Sequence, residues 1–128
     1  GTREPEIYGH QSLADIEALC VKAASAHSLT IDFRQSNHEG VLIDWVQEAR
    51  NGFAAIIINP AAYTHTSIAL HDALKAVSIP VIEVHISDPR SREAFRHESY
   101  VGLVATQTVS GKGAAGYAEA VAIAAKLI

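Results

Sequence analysis

Two short runs constrain the fold more than anything else in the chain. Residues 54–58 read Ala-Ala-Ile-Ile-Ile and residues 81–86 read Val-Ile-Glu-Val-His-Ile, nearly continuous apolar stretches rich in β-branched residues. They are followed by Asn59-Pro60 and, two residues on, by Asp88-Pro89. A strand with one wet face alternates apolar and polar residues, whereas a strand covered by helices on both faces does not. Both runs are therefore expected to be inner strands of a parallel sheet. Parallel neighbours need a crossover between them, and residues 67–76 supply it with helical apolar spacing and Ser67 placed as a cap.

The rest of the chain continues the alternation. Ser12 with Asp15 three residues later has the pattern of a capping box, and Leu13, Ile16, Leu19, Cys20 and Ala23 recur at helical spacing, predicting a helix over about residues 12–26. Leu29, Ile31 and Phe33 alternate with Thr30, Asp32 and Arg34, which predicts a strand near a sheet edge. Leu42, Ile43, Trp45, Val46 and Ala49 mark a helix stopped by Asn51-Gly52. A short helix over residues 92–98, a strand over 101–106 and a helix over 114–127 follow. In a parallel sheet each helix crosses over between two strands, so the opening helix is expected to be fed by a strand lying before Gly1. Gly1 is accordingly read as not the natural start. The expected fold class is α/β: a flavodoxin-like doubly wound parallel sheet flanked by helices, its first strand missing, in one domain over residues 1–128 truncated at the N-terminus.

Composition narrows the function. The chain is 48% hydrophobic, which is globular, and its longest apolar runs fall far short of the ~20 residues that span a bilayer. Ten Lys and Arg against fourteen Asp and Glu give a net charge of −4, which argues against nucleic acid or an anionic membrane surface as partner. The lone Cys20 reads as a buried inert thiol, fitting a reducing, cytoplasmic compartment.

Several motifs invite chemistry. Gly111-Lys112-Gly113-Ala114-Ala115-Gly116 is a literal G-x-G-x-x-G, but a dinucleotide site also needs a following strand and an acidic residue about 20 positions on, and only 12 residues are given after Gly116, so it is read as a turn and a close helix approach. Seven histidines show no HxxxH or HExxH spacing, and no metal site is expected. Thr64-His65-Thr66-Ser67 lacks a nucleophile elbow, which leaves Ser67 as a helix cap. Glu83 and His85 are more telling, because residues two apart on a strand leave the same face and the carboxylate can orient the imidazole. A satisfied structural pair would read the same way. His85 and Asn59, however, both stand at strand carboxyl ends, where open α/β sheets bind ligands. The opening Arg3-Glu4-Pro5-Glu6-Ile7-Tyr8-Gly9 reads as a loop, either a solvated connection or a lid carrying an activated phenol. A guanidinium ~4 Å from Tyr8 at an effective dielectric of ~20 contributes about 4 kcal/mol, up to ~3 pKa units before screening.

These residues match a known pattern. Arg3-Glu4-Pro5-Glu6-Ile7-Tyr8-Gly9, Asn59-Pro60-Ala61-Ala62-Tyr63-Thr64-His65-Thr66-Ser67 and Ile82-Glu83-Val84-His85-Ile86-Ser87 together resemble type II 3-dehydroquinate dehydratase, the dehydroquinase of the shikimate pathway, aromatic amino acid biosynthesis and quinate metabolism. The resemblance covers essentially the whole chain. It implies dehydration of 3-dehydroquinate to 3-dehydroshikimate through an enolate, with no metal, Schiff base or organic cofactor. It implies Tyr8 as base, Arg3 lowering its pKa and stabilising developing charge, Asn59 holding substrate and a water, and His85 as acid aligned by Glu83. Ile86 and Ser87 would meet the substrate carboxylate, and His65 and Arg96 the ring hydroxyls. Asp72 would reach the site of a neighbouring subunit in trimers grouped into a dodecamer. The family opens with a strand and a Gly-Pro-Asn-Leu-Asn-type loop, after which Gly1 would fall. A second class of function remains beside the enzyme: a non-catalytic flavodoxin-like module that binds a small anion at the strand ends.

Overall fold

The computed structural model describes residues 11–128. The first helix, α1 (Leu13–Ser25), starts where its cap predicts. The Ser12 hydroxyl accepts the Asp15 N–H at 3.1 Å while the Asp15 carboxylate accepts the Ser12 N–H at 3.0 Å. There follow α2 (Glu39–Glu48), β1 (Ile56–Ile58), α3 (Ile68–Lys75), β2 (Val81–His85), β3 (Gln107–Ser110) and α4 (Ala115–Leu127), with 3-10 turns at Ala61–His65, Pro89–Ser91 and Ala94–Arg96. The strands are parallel in the order β1-β2-β3, with Ile58 beside Glu83 and Glu83 beside Thr108. The central β2 is buried along its whole length, as its apolar run requires.

Strand alternation distributes the core between two faces. Ile56, Ile58 and Val81 pack on one face against Val46 of α2 and Leu70 and Leu74 of α3. On the other face Ile82, Val84 and Val109 meet Ala120 and Ala124 of α4. Beside α4, α1 packs through Ile16, Cys20 and Ala24 onto Val121. The Cys20 thiol is buried, which pushes its pKa up, with the Glu17 carboxylate adding to the rise. The glycine motif has a structural role: Gly111 and Gly113 turn the chain at φ of +74° and +61°. At Gly116 a Cβ would stand 3.4 Å from Val109 Cγ1, an ordinary van der Waals contact, so the expected close approach does not require glycine there. No helix among the described residues is long and apolar enough to cross a membrane.

Three expected elements are corrected. Residues 29–33 keep their alternation, with Leu29, Ile31 and Phe33 packed toward α1, yet they pair with no strand among the described residues. Arg34 ties this segment to α2 instead, reaching Glu48 at 2.9 Å and Asp32 at 2.8 Å and lying 5.6 Å from the Trp45 ring centroid. Alternation decides which side chains are buried, but a ladder also needs a neighbour within hydrogen-bond reach. A cavity of about 700 Å³, lined by Leu29, Ile31, Phe33 and Ile57, lies between the segment and β1. Residues 101–106 form a turn, with the Val104 and Ala105 N–H groups returning to the Val101 carbonyl, and the strand begins after it, at Gln107. The apolar residues there mislead because Val101 is a fully buried plug in the α2/α3 core, whereas the true strand is polar and mostly exposed. Residues 92–98 hold only the 3-10 turn Ala94–Arg96. Phe95, the large apolar residue there, is 67% exposed, so no apolar stripe docks a longer helix.

Candidate active site

The site grows from the carboxyl end of β2. Val81, Glu83 and His85 leave one face of the strand, and above the apolar layer that contains Val81 the two polar side chains meet. His85 Nε2 stands 2.6 Å from Glu83 Oε2, with Glu83 1% and His85 8% exposed. Two loop segments and a strand complete the surroundings of the carboxylate. The buried Thr64, from the turn after β1, and Ser99, from the segment after the turn Ala94–Arg96, lie 2.6 and 2.8 Å from Oε2. From β3 the register neighbour Thr108 donates to Oε1 at 2.9 Å.

Burial on its own would push the Glu83 carboxyl up. Hydrogen bonds from His85, Thr64 and Ser99, together with the charge of His85, override it and bring the pKa down to about 2. Glu83 is therefore an anion at neutral pH and accepts from the adjacent imidazole. With Nε2 engaged by Glu83, His85 Nδ1 has no partner among the described residues and is the nitrogen left to exchange a proton with a ligand.

Asn59 ends the neighbouring strand, one residue past Ile58, the partner of Glu83. Its Nδ2 donates to the Tyr117 hydroxyl at 2.8 Å, and its Oδ1 accepts the Ala61 N–H at 3.0 Å. That bond accompanies a left-handed conformation at Ala61, φ +50°, a strained position of the kind found beside functional groups. Burial pushes the Tyr117 phenol up by more than the Asn59 bond lowers it, so Tyr117 is a neutral hydroxyl here.

His65 is half-buried on the Ala61–His65 turn, with Nδ1 2.6 Å from the Glu98 carbonyl. The Tyr100 N–H donates to the Thr64 carbonyl at 2.7 Å, which closes residues 98–100 against that turn. Arg96 is half-buried, held by Glu93 at 2.6 Å and stacked 5.0 Å from the Phe95 ring centroid. Ile86 and Ser87, both half-buried, continue directly from β2, with the Ile86 carbonyl accepting the Gly113 N–H. The Asp72 carboxylate on α3 is 71% exposed and, among the described residues, bonds only its neighbour His71, apart from the other groups named here. Arg3 and Tyr8 lie outside the described residues.

The described residues thus gather a carboxylate-backed imidazole, an amide and a loop carrying His65 at the carboxyl ends of adjacent parallel strands, an arrangement suited to donating a proton to a bound ligand. Four contributors were not singled out from the sequence. Thr64 is legible only as part of the Thr-His-Thr-Ser run, and Thr108 only once the register of β3 is known. Ser99 and Tyr117 carry no sequence signal, because both arrive from elements far along the chain.

The comparisons agree with this geometry. A family model described as dehydroquinase class II matches residues 1–125. Over 127 residues the chain is 60% identical to the 3-dehydroquinate dehydratase of Phenylobacterium zucineum, covering 99% of this chain and 88% of that protein. It is 52% identical over 128 residues to 3-dehydroquinate dehydratase 2 of Pseudomonas putida, covering 100% of this chain and 86% of that protein. The crystal structure of the type II dehydroquinase from Propionibacterium acnes superposes with a TM-score of 0.93 at 38% identity, covering 98% of this chain and 86% of that one. A 3-dehydroquinate dehydratase-like protein from Bifidobacterium longum superposes with a TM-score of 0.76 at 33% identity, covering 92% and 89%. Family model, relatives and fold converge: the chain belongs to the class II dehydroquinase family.

Proposed function

We propose that this protein is a 3-dehydroquinate dehydratase, a hydro-lyase that forms 3-dehydroshikimate through an enolate. The observation that carries this reading is the 2.6 Å contact between His85 Nε2 and the ionised Glu83, beside Asn59, in a chain 60% identical to a named 3-dehydroquinate dehydratase. Tyr8, as phenolate, takes a proton from the carbon next to the ketone, and the bond pair becomes the enolate. The enolate then collapses to the enone, expelling the β-hydroxyl. That hydroxyl takes a proton from His85 Nδ1 and departs as water. The proton gained by Tyr8 returns to His85 through solvent, so the cycle closes with no net change in the protein.

Arg3 lowers the Tyr8 pKa and stabilises developing charge. Asn59 holds substrate and the water that supports the enolate. Ile86 and Ser87 bind the carboxylate through backbone N–H groups, and His65 and Arg96 hold ring hydroxyls. Asp72, which joins no other site group among the described residues, reaches a neighbouring subunit's site in trimers grouped into a dodecamer, in the cytoplasm. Ultraviolet absorbance of the conjugated enone on mixing protein with 3-dehydroquinate tests the reaction. His85→Ala is expected to lower kcat by about 10²- to 10⁴-fold, the usual contribution of a general acid. Full turnover in that variant would remove His85 from the acid role, and no turnover by the folded parent chain would favour an anion-binding module.

A further inference from the structure

We propose that Thr64, Ser99 and Thr108 are positioning residues that hold the Glu83 carboxylate as the acceptor of the His85 Nε2 proton, leaving Nδ1 to face the substrate. The inference rests on the acid role given to His85 above. Its foundation is the donor geometry at one carboxylate. Oε2 has Thr64, Ser99 and His85 within 2.6 to 2.8 Å, and Oε1 has Thr108 at 2.9 Å. An ionised carboxylate only accepts, and each hydroxyl and the ring N–H can donate to it.

Were Glu83 a carboxylic acid, its proton would face the imidazole across 2.6 Å, and imidazole is the stronger base. The hydroxyls fix how the carboxylate is turned, so that Oε2 stays in front of Nε2. With its proton given to Glu83, Ser99 Oγ accepts the Gly102 N–H at 2.9 Å. That bond holds the Ser99 oxygen in place. Space is matched too: a Cβ at Gly102 would come within 3.2 Å of both Glu83 Oε1 and Ser99 Oγ, so the backbone there leaves the carboxylate one seat.

Thr108 is the decisive position. It faces Glu83 across the parallel ladder and lies on an exposed strand, so its hydroxyl can be removed without opening the core. Thr108→Val keeps shape and β-propensity while deleting the donor, and Thr108→Ser restores the hydroxyl. The test measures steady-state kinetics with 3-dehydroquinate and the ¹⁵N chemical shifts of His85 at neutral pH.

In the parent protein the ring, in the form that acts as acid, is expected with its Nε2–H held by Glu83 and slow to exchange and its Nδ1–H open to the substrate. Thr108→Val, and more strongly Thr108→Val with Ser99→Ala, is expected to shift the Nε2 resonance and speed the exchange of its proton. The same variants should lower kcat by about tenfold per lost charge-assisted bond with KM within about twofold, and Thr108→Ser should recover both readouts. Unchanged His85 shifts in folded Thr108→Val/Ser99→Ala protein would overturn the proposal, as would a loss of activity that Thr108→Ser fails to recover. The shifts are read without turnover, so failure here is distinct from failure of the acid assignment, which His85→Ala tests.

Discussion

At the scale of single residues, Glu83 dominates. Burying a carboxylate with no partners would raise its pKa and destabilise the fold, yet the bonds from His85, Thr64 and Ser99 and the charge of His85 reverse the sign. Its pKa falls from 4.5 in the ordinary state to about 2 in the folded one. The unfolded chain therefore binds the extra proton first as pH drops. The stability that Glu83 contributes is complete above about pH 4.5 and is lost progressively toward about pH 2. Denaturant melts between pH 2 and 6 are expected to show stability rising with pH across that window, and Glu83→Gln should flatten the rise. A slope as steep in Glu83→Gln as in the parent would assign the effect to other carboxylates. The site was partly legible at this scale: the Glu83–His85 pair follows from period two along a strand, whereas its hydroxyl partners come from residues 19, 16 and 25 positions away.

At the scale of elements, the glycine-rich turn into α4 shows how two identical substitutions diverge. Gly113 has φ +61° and open space where an added methyl would stand, so Gly113→Ala meets only backbone strain and is expected to destabilise by about 1–2 kcal/mol. Gly116 sits inside α4 with no left-handed requirement, and an added Cβ makes an ordinary 3.4 Å contact with Val109. Gly116→Ala should be neutral or gain up to about 1 kcal/mol through helix propensity. Thermal melts of the two variants decide it, and equal destabilisation would mean that α4 packs too tightly for a methyl. Strands divided by legibility along similar lines. The run at Val81–His85 announces itself because both faces are covered, while Gln107–Ser110 hides because an edge strand needs no apolar run.

For the whole molecule, the sheet separates two cores that can be perturbed independently. Leu74 packs with α2 and α3 on one face, and Val121 packs with α1 on the other. Leu74→Ala is expected to cost about 2–5 kcal/mol and Val121→Ala about 2 kcal/mol. With no shared partners, the double variant should add to within about 0.5 kcal/mol in urea titrations, and a larger discrepancy would show coupling through β2. The sequence by itself determined the α/β class, the buried parallel strands, the caps at Ser12 and Ser67 and the same-face pairing of Glu83 with His85. All of these depend on residues within about one helical turn or strand of each other, where periodicity and capping chemistry operate. Tertiary structure decided that residues 29–33 pair with no strand among the described residues, that Val101 plugs the core from a turn, and that Thr64, Ser99 and Thr108 converge on one carboxylate. Those outcomes turn on which distant segments come within hydrogen-bond reach, and distance in space is not written in local pattern.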